Sequence, residues 1–317
     1  MVTKDTKAIF LFPGQGAQYP GMALDLLATG SAGVRELFAL ASEALGADAE
    51  KALAESSAET LKRSDLAQPL ITLANLAAAA FLRERGLEPA ACAGHSLGEY
   101  AALACAGMLG AGDCLRLVTL RGRAMQEASE RLGAGPDAPG MAAVLGLPPE
   151  EVEALLARWG IEGLYAANYN SPKQVVISGT APALAAAELK FRESGARRVL
   201  RLQVSGPFHS PLMAEAAAAF APAVEAAAFA DPRIPCCSNV SGGVIGSGEE
   251  ARRLALRQIT EPVRWTAEEA ALAALSGAEA ALEAGPGSVL RGLWKDTGSA
   301  VPCYAAGTRA GIEALGN

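Results

Sequence analysis

The sequence predicts an α/β fold of two units, a large α/β domain and a smaller domain inserted within it. Three observations predict this. The run Lys7 to Phe12 stops at Pro13-Gly14-Gln15-Gly16, as a buried strand of a parallel sheet does. A second apolar run, Ala90 to Ala93, leads through Gly94-His95-Ser96-Leu97-Gly98 into a helical pattern at Ala101, Leu103, Ala104 and Met108. From Met141 to Val204 the rhythm changes to β-α-β-β-α-β, and longer helices resume afterwards.

The elements follow in order. A helix is expected from Ser31 to Leu45, then a polar segment to Asp65. Gln68 to Arg85 reads as a helix with Pro69 in its first turn and Gly86 as its stop. Asp113 to Leu132 is a further helix, ended by the loop Gly133 to Gly140. The insert then comprises strand Met141–Leu147, helix Pro148–Trp159, strands Leu164–Asn168 and Gln174–Ser178, helix Ala181–Ser194 and strand Arg198–Val204. That order is the ferredoxin-like arrangement. The expected boundaries are 1–135 with 206–317 for the large domain and 136–205 for the insert. Beyond it lie an Ala-rich helix, Pro211–Phe229, bent at Pro222, and a strand at Ile234–Val240. Helices at Glu249–Ile259 and Thr266–Leu275, a strand at Ala280–Glu283 and a last helix from Val289 complete the chain.

Composition narrows the function. At 317 residues the chain is long enough for two domains. A net charge of −7 argues against a general nucleic-acid binder. No apolar run approaches the roughly 20 residues that cross a bilayer. The N-terminal apolar run is too short for a secretory signal, so a cytoplasmic protein is expected. The 6 cysteines include no Cys-x-x-Cys pair, so neither a zinc site nor a disulfide framework is expected. Cys236-Cys237 reads as a pair of buried small residues.

A serine in a strand–turn–helix elbow is placed as a nucleophile, with its oxygen exposed above the sheet and helix N–H groups beside it. A serine hydroxyl needs a base, and the chain has only 2 histidines. His95 adjoins Ser96 on a tight turn and points elsewhere. His209, in Ser205-Gly206-Pro207-Phe208-His209-Ser210, is the better base, against the alternative of a satisfied loop histidine. The backbone N–H of Gln15 can complete an oxyanion hole with that of Leu97. On the Asp113–Leu132 helix the polar arc holds Arg116, Thr119, Arg123, Gln126, Glu127 and Glu130. Arg121 falls on the opposite, apolar arc with Leu117, Ala124, Met125, Ala128 and Leu132. A guanidinium there needs an anion: a buried carboxylate of the protein, or a substrate carboxylate.

These motifs resemble the malonyl-CoA:acyl carrier protein transacylases, the acyltransferase family of fatty acid and polyketide synthesis. The resemblance runs almost the whole chain. It rests on Phe12–Gly16, Gly94–Glu99, Arg121–Gln126, Asn168–Pro172, Gly206–Ser210 and Gly285-Pro286-Gly287. It implies an α/β-hydrolase-like large domain with a ferredoxin-like insert. It also implies Ser96 as nucleophile, His209 as base, Arg121 as the clamp for the malonyl carboxylate, and Gln15 and Leu97 as oxyanion donors. Gln258 matches the glutamine whose backbone carbonyl orients the histidine, and Asn168 a residue lining the site. Phe208 fits the malonyl-selective pattern, where methylmalonyl-selective relatives tend to carry serine. No metal or redox cofactor is implied, malonyl-CoA being a substrate. The implied partner is an acidic acyl carrier protein, for which Lys190, Arg197, Arg198 and Arg201 on the insert, with Lys173 nearby, are the candidate contacts, against the alternative of a solvated charged face. A monomer is expected. The rival from the residues alone is a serine esterase or thioesterase, but such enzymes usually carry the histidine near the C-terminus and an HGGG-type loop, whereas His209 stands 108 residues from the end and no HGGG occurs. A non-catalytic carrier-binding module would not require Ser96, His209 and Arg121 together.

Overall fold

Ala8–Phe12 (β1) is buried at all five positions and forms an inner strand of a parallel sheet. The structure, a computed structural model, describes residues 2–133, 135, 137–275 and 277–316. Ala134 and Pro136 of the predicted loop lie outside the described residues, and with Pro136 the expected start of the insert. After β1 come Leu24–Leu27 (α1), Ala32–Leu45 (α2), Ala49–Glu55 (α3) and Ser64–Glu84 (α4). The N-cap hydroxyl of Ser31 accepts from Val34 N–H at 3.1 Å and starts α2. The segment read as polar up to Asp65 contains α3, whose two turns are too few to show a period. It is started by Asp48, which accepts from Lys51 N–H at 3.0 Å.

Helix α4 begins four residues before the predicted start, so Pro69 lies in its second turn rather than its first. The missing N–H costs one ladder bond, to the Asp65 carbonyl, near the helix end where little of the ladder is disturbed. The earlier start also overturns the expectation of no long apolar run. α4 has 21 residues and holds an 18-residue stretch of mean hydropathy 1.4, long and apolar enough to cross a membrane, yet 83% of that stretch is buried in this fold. Its Ser64, Gln68, Thr72 and Asn75 are buried with it.

Pro89–Gly94 (β2), Gly98–Cys105 (α5) and Ala111–Leu132 (α6) follow. A second sheet is built from Gly140–Leu145 (β3), Pro149–Trp159 (α7), Leu164–Ser171 (β4), Gln174–Gly179 (β5), Ala181–Glu193 (α8) and Arg198–Arg201 (β6). It is antiparallel in the order β4-β5-β3-β6 and packs Val144, Ile177 and Val199 against Val152, Leu184 and Phe191 of the two helices. The chain continues through Ala214–Ala226 (α9), Gly248–Arg257 (α10), Trp265–Ala274 (α11), Ala280–Glu283 (β7), Val289–Asp296 (α12), Cys303–Ala305 (β8) and Arg309–Glu313 (α13). β7 and β8 complete the parallel sheet in the order β2-β1-β7-β8. The helix at Val289 is therefore not the last.

The fold is mixed α/β, with one parallel and one antiparallel sheet. The expected strand at Ile234–Val240 is absent. Cys236 makes one bridge to Cys92, Pro235 has no N–H to give, and Gly242 N–H donates to the Ser238 carbonyl at 2.8 Å, closing a turn before a ladder can extend. The wheel also misplaces three side chains of α6. Thr119 and Gln126, on the polar arc, are buried, and Leu132, on the apolar arc, is exposed near the helix end. All six thiols are free, and Cys236 and Cys237 are buried.

Candidate active site

Only three residues join β2 to α5, and close approach explains why glycines flank them. A Cβ on Gly94 would lie 2.0 Å from the Gly98 carbonyl carbon, and one on Gly98 1.9 Å from the Phe12 carbonyl oxygen. The turn therefore sits directly on the end of β1, where the Pro13–Gly16 turn begins. Ser96 is held at φ 51°, a left-handed conformation that costs a non-glycine residue about 1–3 kcal/mol. His209 is held at φ 56° in the segment after the antiparallel sheet.

The two side chains meet. Ser96 Oγ lies 2.7 Å from His209 Nε2. His209 Nδ1 faces two backbone carbonyls, Gln258 at 3.0 Å and Glu261 at 3.1 Å. A carbonyl can only accept, so Nδ1 carries the proton and Nε2 presents its lone pair to the serine hydroxyl. This is the tautomer a general base requires. His95 points away, its Nε2 donating to Asn170 Oδ1 at 2.8 Å and its ring set edge-on to Trp265.

His209 is almost completely buried, and burial first, then the positive Arg121, pulls its imidazole down to about 3. The ring is thus neutral throughout the physiological range. The unfolded chain takes up this proton near pH 6.5, whereas the folded chain resists it until about pH 3. The wild type should therefore lose stability relative to His209→Gln as pH falls from 6.5 to 3, by up to about 1.4 kcal/mol per unit. Urea midpoints of both proteins between pH 7 and 4 check this, and a constant difference would refute it.

Arg121 is 1% exposed. Its Nη1 donates to Gln68 Oε1 at 2.8 Å and its Nη2 to Gln258 Oε1 at 3.1 Å. Its carbon lies 5.6 Å from the centre of the Tyr100 ring, and its Nε has no partner among the described residues. No carboxylate reaches it within salt-bridge distance among the described residues, which disposes of the direct protein ion pair left open by the sequence. A buried cation held only by neutral acceptors favours an incoming anion.

Ser96, Leu97, His209 and Arg121 line one cavity of about 270 Å³. Gln15, Asn168 and Phe208 line it as well, so every predicted site residue except Gln258 reaches it. Gln258 lies behind it, 1% exposed. The backbone N–H groups of Gln15 and Leu97 donate to no protein acceptor among the described residues, so both are available to an oxyanion. The antiparallel sheet contributes Met141 and Val176, and α12 contributes Leu290 and Leu293, which make the cavity largely apolar.

Sequence reasoning missed four polar residues around this centre. Gln68 holds Arg121, Asn170 holds His95, and Glu99 and Asn239 surround Gln258. Gln68 left one signal, its place in a stripe of polar residues, Ser64, Gln68, Thr72 and Asn75, along one face of the largely apolar α4. Glu99 lay inside the quoted motif. Burial raises its carboxyl to about 7 against the opposing pull of its hydrogen bonds, and burial also raises Glu268 beside it.

Residues 9–310 match the family described as the acyl transferase domain. The chain is 40% identical over 294 residues to the malonyl CoA-acyl carrier protein transacylase of Escherichia coli K12, covering 92% of both chains. Its structure resembles that of the malonyl CoA-acyl carrier protein transacylase of Coxiella burnetii, with a TM-score of 0.90 at 31% identity over 99% of this chain and 98% of the other. It also resembles a malonyl-transacylase solved in complex with a type II polyketide synthase acyl carrier protein, with a TM-score of 0.89 at 35% identity over 98% and 99% of the two chains.

Proposed function

The chain belongs to the acyl transferase domain family, and from that premise we propose that it moves the malonyl group of malonyl-CoA to the phosphopantetheine thiol of an acyl carrier protein. Arg121 carries this reading. A buried guanidinium without a carboxylate partner, opening on the cavity that holds Ser96, suits an acyl group that ends in a carboxylate.

The reaction runs in two halves through malonyl-Ser96. His209 Nε2 takes the hydroxyl proton as Ser96 Oγ attacks the thioester carbon. The oxyanion is held by the N–H groups of Gln15 and Leu97. Collapse breaks the C–S bond, and His209 returns the proton to the CoA thiolate. The carrier-protein thiol then enters the same cleft, gives its proton to His209 and attacks the acyl carbon; the ester bond to Ser96 Oγ breaks, and His209 returns the proton to Ser96. Asn168 and Phe208 shape the acyl pocket. The carbonyl of Gln258 orients His209 in place of a triad carboxylate, an arrangement that separates this centre from the Ser–His–acid esterase alternative.

The finer architecture belongs to the same proposal: a hydrolase-like domain at 1–135 and 206–317, with a ferredoxin-like insert at 136–205. The order β4-β5-β3-β6 with a helix after β3 and another after β5 supports it. The enzyme is taken as a cytoplasmic monomer that needs no metal or redox cofactor, and neither nucleic acid nor membrane as partner. Intact-mass measurement after malonyl-CoA is added tests the core of the reading, with malonyl expected on Ser96.

Docking of the acidic carrier protein should be electrostatic. Lys173, Lys190, Arg197, Arg198 and Arg201 are exposed, and Arg198 and Arg201 lie on the edge strand β6. Replacing Arg198 and Arg201 with Glu should raise KM for the carrier protein about tenfold, leave KM for malonyl-CoA unchanged, and flatten the salt dependence. An unaltered salt dependence would count against this face.

A further inference from the structure

Gln258 joins every part of the proposed centre. Its backbone carbonyl receives His209 Nδ1–H. Its Oε1 accepts from Arg121, which can only donate, and its Nε2 donates at 2.9 Å to the Ser96 carbonyl, which can only accept. Those two partners fix which way the amide faces. The same Nε2 reaches Glu99 Oε2 at 2.5 Å. Glu99 is 4% exposed, and the Asn239 backbone N–H at 3.4 Å holds the same oxygen. The Asn239 side chain in turn donates to the Gly94 carbonyl at 2.7 Å and Glu268 Oε1 at 2.8 Å, which ties this assembly to the elbow.

We propose that Glu99 is a positioning residue for the transfer reaction: through the side-chain amide of Gln258 it holds Arg121 and the His209-orienting carbonyl in register with Ser96. The amide stands between a buried cation and a buried carboxyl, its oxygen toward the guanidinium and its nitrogen toward Glu99. Both ends of its dipole are therefore favourably placed. Without Glu99, Nε2 keeps the Ser96 carbonyl at 2.9 Å and only a long contact to Asn239 Oδ1 at 3.5 Å, so the side chain is held less firmly and can turn. Turning removes the acceptor on which Arg121 Nη2 is aimed, and it disturbs the residue whose carbonyl sets the His209 tautomer. Glu99 does not line the cavity, and its role runs through Gln258.

The inference rests on the proposed reaction and is tested beside it. Single-turnover acylation of Ser96 by malonyl-CoA and by acetyl-CoA is followed by intact mass in wild type, Glu99→Ala and Glu99→Gln. Glu99→Ala should acylate with malonyl at least about tenfold more slowly and lose most of the malonyl-over-acetyl preference. Glu99→Gln still offers an oxygen to Gln258 Nε2 and should restore the preference to within about threefold of wild type. A purely structural role would lower the melting temperature and leave the preference intact. If Glu99→Ala does not fold, Gln258→Met, which keeps the backbone carbonyl, must show the same loss of preference. A wild-type preference in Glu99→Ala or in Gln258→Met overturns the inference alone. Absence of malonyl on wild-type Ser96 overturns the reaction and the inference together.

Discussion

Ser96→Ala is expected to abolish the acyl-enzyme and to lower malonyl transfer by on the order of 10⁴-fold or more, the loss seen when a coupled nucleophile–base pair is broken. The fold should survive. Among the described residues the Ser96 hydroxyl makes one hydrogen bond, to His209, and the elbow is shaped by its backbone. The Ser96 carbonyl keeps its bond from Gln258 Nε2, and the closeness of Gly94 to Gly98 is untouched. Alanine meets the same cost at φ 51° as serine does, so the melting temperature should stay within a few degrees. Malonyl-CoA binding should persist, because the cavity and Arg121 remain. Intact-mass spectra and a carrier-protein transfer assay, run on the same preparation, check both halves. Transfer at the wild-type rate by Ser96→Ala would remove Ser96 from the mechanism.

Much of this centre was legible in the sequence because its signals are local. The strand–turn–helix around Ser96 needs only its own glycines. The antiparallel sheet announces itself through the alternation of short strands with two helices. Arg121 stands out because one turn of wheel arithmetic sets a cation on an apolar face. What escaped depends on distant partners. Glu99 and Gln258 meet across 159 positions of sequence, and nothing near either residue predicts the other. The apolar stretch at Ile234–Val240 has the composition of a strand, but the turn closed at Gly242 decides against a ladder. The two turns of α3 and the three residues of β8 are shorter than the windows in which periodicity shows.

Arg121 also separates a malonyl-specific enzyme from a general acyl carrier, and its replacement should shift selectivity more than it lowers turnover with acetyl. The guanidinium uses two nitrogens on the neutral acceptors Gln68 and Gln258, and its Nε has no partner among the described residues. A malonyl carboxylate arriving there meets a cation already stripped of water, so the cost of dehydrating Arg121 is not incurred at binding. A charge-assisted pair of hydrogen bonds contributes about 1.5–3 kcal/mol, or roughly 10–100-fold in rate. Arg121→Ala should therefore cut kcat/KM for malonyl-CoA by at least that factor and leave acetyl-CoA unchanged or improved. Arg121→Lys keeps the charge without the planar fork. A single ammonium cannot hold Gln68, Gln258 and a carboxylate in one plane, so this variant should fall between the two. The order Arg, Lys, Ala for malonyl, with no such order for acetyl, is the signature of a clamp. A general contribution to folding would depress both thioesters alike, and equal malonyl-to-acetyl ratios in all three proteins would sink the clamp.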